Sequence, residues 1–214
     1  YQLNTSSLRN ETTRNLIAAR AFMRPALPLL IRCGEQMDAK VLSKALQQHS
    51  YLRHVKNAKV VTSLNTPSTL HVWLGCLLAI EDLTIERLPE HGGSWLQTRE
   101  LAHHLGAGLK QLRFSSLKTL RLVNQIVPNE VASLSVTGLE LDGCIGFVFP
   151  STVVLPKLPP SLLELVIRLV PAEDSSFNSN NYPIDMGEHV GNLLACCPHL
   201  ISLVIAADGK SCVV

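Results

Sequence analysis

Aromatic side chains are scarce, at 5% of 214 residues. Charge of one sign is missing too: 19 Lys and Arg stand against 17 Asp and Glu, for a net +2 with no basic stripe. Binding nucleic acid by phosphate neutralisation needs concentrated positive charge, so that partner class is not expected. Long hydrophobic runs are absent. The longest, Val72 to Ile80, is broken by Gly75, whereas a membrane-crossing helix needs about 20 apolar residues. No membrane partner is expected. The chain opens at Tyr1 with neither an initiator Met nor a signal-peptide pattern, and is expected to be a piece of a longer reading frame. No C-x-x-C occurs among Cys33, Cys76, Cys144, Cys196, Cys197 and Cys212. Only Cys196 and Cys197 are close; vicinal cysteines rarely bridge, and zinc would need a spaced second pair. Reduced, mostly buried thiols are expected, and with them a cytoplasmic or nuclear compartment. The tripeptides Asn4-Thr-Ser6 and Asn10-Glu-Thr12 fit a glycosylation pattern that arises often by chance.

Signatures of catalysis are equally thin. Glu90-His91-Gly92-Gly93-Ser94 has the look of an oxyanion loop, but no Gly-x-Ser-x-Gly elbow accompanies it. A turn before a helix cap explains it. Gly106-Ala-Gly108 has Gln111 where a nucleotide loop needs a third Gly, and it precedes a strand pattern when it should follow one. His103 and His104 are neighbours on a helical stretch and point in different directions. Glu140 and Asp142 share one strand face, as a catalytic pair or as a solvated acidic spot. No catalytic residue, metal or cofactor is assigned.

What the chain has is apolar periodicity. With 46% hydrophobic residues it can build a sizeable core. Val136-Thr-Gly-Leu139-Glu-Leu141-Asp-Gly-Cys144 reads apolar-x-x-Leu-x-Leu-x-x-Cys. It resembles the strand unit of a leucine-rich repeat. The first positions of similar units fall at Leu52, Ile80, Leu109, Val136, Leu162 and Leu200, in steps of 28, 29, 27, 26 and 38 by subtraction. Four of these match a repeat of about 20–29 residues. The long fifth step is accounted for by a polar loop over 171–183. Leu117-Lys-Thr-Leu120-Arg-Leu122 offers the pattern again eight residues after Leu109. Both copies cannot be repeat strands, and spacing favours Leu109. Helical patterns cover Asp38–Ser50, Pro67–Cys76, Ser94–Leu105 (stopped by Gly106 and Gly108) and Asp185–Cys197. The expected fold is an α/β leucine-rich-repeat-like solenoid of short parallel strands with outer helices, over 37–214. A doubly wound α/β domain is the main rival.

Residues 1–36 read as a helical N-terminal cap. Leu16, Ala19, Arg20, Phe22, Pro28 and Leu30 resemble the last helix and exit of an F-box, with Ile31 where that family usually has Tyr. The resemblance covers about 20 residues; the start of an F-box is absent from the chain. It implies a substrate receptor that docks on a ubiquitin-ligase adaptor if the F-box is complete upstream. The expected function is therefore non-catalytic protein recognition, with a repeat scaffold unrelated to ubiquitin, or a small α/β enzyme, as alternatives. In a solenoid the side chains flanking the inward Leu form the concave face. The partner-binding candidates are Asp82, Thr84, Glu86, Gln111, Arg113, Glu140, Asp142, Glu164 and Arg168. Ser115, Gly138, Val166, Ser202, Val204 and Ala206 complete that face. Its mixed sign suits a protein partner.

Overall fold

A computed structural model describes residues 2–3, 28–33, 43–44, 46–62, 69–88, 95–112, 116–144, 158–169, 195–207 and 210–213. Among the described residues, nine strands form one sheet in strict chain order. They are β1 (Gln2–Leu3), β2 (Leu29–Arg32), β3 (Asn57–Thr62), β4 (Asp82–Arg87), β5 (Thr119–Val123), β6 (Gly138–Asp142), β7 (Glu164–Leu169), β8 (Ser202–Ala207) and β9 (Lys210–Val213). The pairings from β1 to β8 are all parallel, and β9 turns back antiparallel on β8. Parallel neighbours need a crossover segment on one face of the sheet. Here α1 (Leu70–Gly75) joins β3 to β4 and α2 (Trp95–Gln111) joins β4 to β5. The 3-10 turn Ser50–His54 precedes β3, and a second, Asn129–Ser133, precedes β6. A doubly wound fold reverses its strand order at a switch point. Sequential order has no reversal, so the architecture is an α/β parallel sheet compatible with a solenoid-like winding.

Strand alternation places two apolar ladders on the helical side. One is Leu29, Ala58, Leu83, Leu120, Leu139, Leu165 and Leu203; the other is Ile31, Val60, Ile85, Leu122, Leu141, Ile167 and Ile205. All but half-buried Ile205 are in the core. Trp73, Leu74 and Leu70 of α1 and Leu105 and Leu109 of α2 cover them. Each such side chain contributes about 1.5–3 kcal/mol by leaving water. The residue ahead of each strand repeats a backbone device. The Lys56 carbonyl accepts from the Glu81 and Asp82 N–H groups, and Glu81 from Lys118 and Thr119. Lys118 accepts from Thr137 and Gly138, Thr137 from Leu163 and Glu164, and Leu163 from Ile201 and Ser202. Five equivalent forks align six successive turns of chain, which is a repeat defined by hydrogen bonds where sequence is loose.

The strand ends repeat as well. Asn124 and Gly143, in equivalent places after β5 and β6, have φ of 53° and 61°. Gly and Asn are the residues that tolerate this left-handed turn. Beyond it the chain bends inward, and Gln125 and Cys144 are buried, as is Thr62 at the end of β3. Gln125 Nε2 donates to Thr62 Oγ1 at 3.5 Å, and the Cys144 thiol donates to the Leu122 carbonyl at 3.2 Å. Cys144, closing the best-formed motif, is thus a core residue.

Three expectations need correction. Leu109 does not open a strand: it is a buried residue of α2, and the strand is the Leu117 copy. Ladder positions step by 25 from Ala58 to Leu83, 37 to Leu120, 19 to Leu139, 26 to Leu165 and 38 to Leu203. The even spacing through Leu109 was produced by one long and one short step side by side. Gly106 and Gly108 do not stop the helix either. A Cβ on Gly108 would stand 2.8 Å from Leu74 Cδ1, and one on Gly106 would strike the Glu130 carboxylate. They are close-approach positions against α1 and the Asn129–Ser133 turn. In addition, residues 29–32, read with the helical N-terminal segment, form a full strand of the sheet. The helical patterns at 12–23 and most of 185–197, the Glu90–Ser94 turn and the 171–183 loop lie outside the described residues, as do Arg113 and Ser115.

Candidate functional site

The face of the sheet opposite the helices is lined by every second strand residue. Among the described residues, no element packs over it. Three rows run across it. The first holds Asn57, Asp82, Thr119, Gly138, Glu164 and Ser202. The second holds Lys59, Thr84, Arg121, Glu140, Val166 and Val204. The third holds Val61, Glu86, Val123, Asp142, Arg168 and Ala206.

Of the residues picked from sequence, Asp82, Thr84, Glu86, Glu140, Asp142, Glu164 and Arg168 stand on this face. So do Gly138, Val166, Ser202, Val204 and Ala206. Gln111 does not: it ends α2, on the helical side, because the Leu109 register was wrong. Arg121 and Lys59 were missed. Arg121 was legible as the x of Leu120-x-Leu122, had the second copy been chosen. Lys59 sits between Ala58 and Val60, in a stretch that reads as a strand over 55–61 with Lys56 and Lys59 outside its apolar rhythm, and it was not carried onto the face.

The centre of the face is an ionic quartet. Arg121 Nη2 on β5 donates to Asp142 Oδ2 on β6 at 2.8 Å. Its Nε stands 3.7 Å from Glu140 Oε1, an electrostatic contact longer than a hydrogen bond. From the other side, Arg168 on β7 pairs with Glu140 and lies 3.9 Å from Asp142. The two short pairs are diagonal in register and the two longer contacts directly opposite, so two guanidinium groups clamp two carboxylates on the middle strand. The cluster is neutral. Both arginine side chains are over two-fifths exposed, so each pair contributes only about 0.2–1 kcal/mol to stability. Its value is geometric: it holds exposed guanidinium planes, which can stack on aromatic rings or chelate carboxylates, at fixed places. Lys59 pairs likewise with Glu86.

Beside the quartet the face turns apolar. Val166 pairs in register with Val204, and Ala206 lies next to Arg168. All three are half-buried, with no charge among them. At the leading edge Lys56, Glu81 and Lys118, the residues of the backbone forks, alternate in charge. Glu81 meets Lys56 at 2.7 Å and Lys118 at 2.5 Å. The Lys118 and Lys56 ammonium groups hold the Glu81 carboxyl well below its usual range, at about 2.

Chemistry of other kinds finds less. Both carboxylates of the Glu140/Asp142 pair are engaged by arginine. His103 and His104 meet edge to face with ring centroids 5.8 Å apart. Among the described residues, no group of three or more His, Cys, Asp or Glu side chains could hold a metal ion, and no helix is long and apolar enough to cross a membrane. Cys33, Cys76, Cys144, Cys196 and Cys197 are free thiols. Compared with known proteins, the chain matches no family model, no curated protein and no solved structure.

Proposed function

We propose that the chain is a non-catalytic protein-recognition module of leucine-rich-repeat type, acting in the cytoplasm or nucleus, with the open face of the sheet as its binding surface. One observation carries this reading. The face sets an apolar patch (Val166, Val204, Ala206) beside a preorganised, charge-neutral rim of arginines and carboxylates. An apolar anchor ringed by ordered polar groups is how protein interfaces concentrate affinity. A polyanion would gain little from a neutral cluster. Asp82, Thr84, Glu86, Glu140, Asp142, Glu164 and Arg168, with Arg121 added, are the partner-binding residues of this proposal.

The F-box resemblance at Leu16, Ala19, Arg20, Phe22, Pro28 and Leu30 extends the proposal. It makes the module the substrate-receptor part of a ubiquitin-ligase subunit, with the ligation chemistry on other subunits. Affinity capture of the protein extended upstream of Tyr1 tests both halves. Recovery of a cullin-type ligase core supports the ubiquitin assignment; its absence with a retained target leaves a scaffold. Val204→Glu in the apolar patch should remove the target and keep the core. A target kept by Val204→Glu and by Arg168→Glu would rule out the open face.

A further inference from the structure

The helical side of the sheet carries a second surface, separate from the open face. Between the helical residues around Leu46, the Ser50–His54 turn and α1 lies a cleft of about 870 Å³. Small-molecule sites span roughly 300–1,000 Å³. Its walls include the core residues Leu46 and Leu52 and, among them, Leu78, an exposed large apolar side chain at 56%. Its polar lining includes Lys44 and Arg53, with His49 and His71, and no Asp or Glu among the described residues. Elsewhere six cations of the described residues, Lys56, Lys59, Lys110, Lys118, Arg121 and Arg168, each sit against a carboxylate. Lys44 and Arg53 have no such partner among the described residues. The last residue of α1, Gly75, also lines the cleft, and a Cβ placed there would meet nothing within 4 Å. The space is therefore open over the helix end.

We propose that this cleft binds a small organic anion with an apolar body, its acid group held by Lys44 and Arg53 and its apolar part lying against Leu46, Leu52 and Leu78. Burial of the apolar part supplies affinity, and the two cations select charge. The volume fits a ligand of small-molecule size.

Half-buried Cys76 lines the cleft, whereas exposed Cys196 is not among its lining residues, so the protein carries its own probe and control. Decanoate is titrated into the native protein, with decanol as the uncharged match, and maleimide labelling of both thiols is followed by mass spectrometry. Decanoate at ten times its Kd should slow Cys76 labelling about tenfold and leave Cys196 unchanged. Decanol should protect far less. By calorimetry, Arg53→Gln should weaken decanoate about tenfold, the usual size of one charged contact. Gly75→Leu, which fills the open space, should abolish binding with an unchanged circular-dichroism spectrum. Equal protection by decanol, equal slowing of both thiols, or full affinity in both variants would overturn the proposal. So would protection by an acidic amphipathic peptide with none by decanoate, which would assign the cleft to a protein segment.

Discussion

Two alanine substitutions two residues apart in α2 should differ in their effect on stability, one destabilising and the other not. Replacing Gly by Ala inside a helix contributes about 1 kcal/mol of intrinsic propensity. At Gly108 the new methyl stands 2.8 Å from Leu74 Cδ1 and 3.6 Å from Leu70 Cγ and the His71 Cα. Leu70 and Leu74 are fully buried and packed on the sheet, so neither can step aside. Overpacking of this kind costs about 1–3 kcal/mol. The net for Gly108→Ala is a loss of about 1 kcal/mol. At Gly106 the new methyl meets only the far end of Glu130, whose side chain is over one-quarter exposed and pairs with Lys110 at 3.3 Å. Glu130 can swing outward at the cost of an exposed ion pair, about 0.2–1 kcal/mol. Gly106→Ala should therefore be neutral or slightly stabilising. Urea denaturation reads both, with an unchanged m-value showing that the native fold is kept. A gain of about 1 kcal/mol in both variants would mean that the glycines lie on a free helix face, and the α1–α2 packing would be refuted.

Other expectations follow from single contacts. A double-mutant cycle on Arg121→Ala and Asp142→Ala should give a coupling of about 0.2–1 kcal/mol that shrinks as salt rises; a salt-independent or absent coupling would contradict the quartet. Glu81, lowered from 4.5 to about 2 by Lys118 and Lys56, contributes stability that is complete above pH 4.5 and lost as pH falls toward 2. Its carboxyl resonance should titrate near 2, and Lys118→Gln should return it toward 4.5; a wild-type titration at 4.5 would break the edge ladder. Burial pushes the Cys33 thiol up to about 12 and Cys144 to about 11, so neither should react with maleimide at pH 8 before unfolding, while exposed Cys196 reacts at once.

The sequence made the parallel α/β sheet legible because its signal is written twice, in the apolar alternation of each strand and in the recurrence of that strand. Leu83/Ile85, Leu139/Leu141, Leu165/Ile167 and Leu203/Ile205 all fall on the ladders that their patterns mark. The Leu109/Leu117 choice failed for a physical reason. Leu105, Leu109 and Leu112 serve the buried face of a helix, and spacings of three and four residues also fit the first positions of the strand template. Even spacing then favoured the wrong copy. Leu29 and Ile31 were hidden by neighbouring prolines and by the helical pattern before them. Most of the open-face positions followed once the strands were placed, since alternation sets them. The ionic quartet did not, because a diagonal pair spans two strands and depends on register. The cleft beside α1 could not be foreseen at all: its cations come from separate elements and meet only in three dimensions.

The central claim is that the open face does the binding. Photo-crosslinking in cells measures it directly, with a benzophenone amino acid placed at Val204 or Thr84 on the face, or at exposed Ser133 on the helical side. A shared crosslinked protein is expected from Val204 and Thr84 and none from Ser133. Crosslinking of that protein from Ser133, with silence at both face positions, would contradict the central claim.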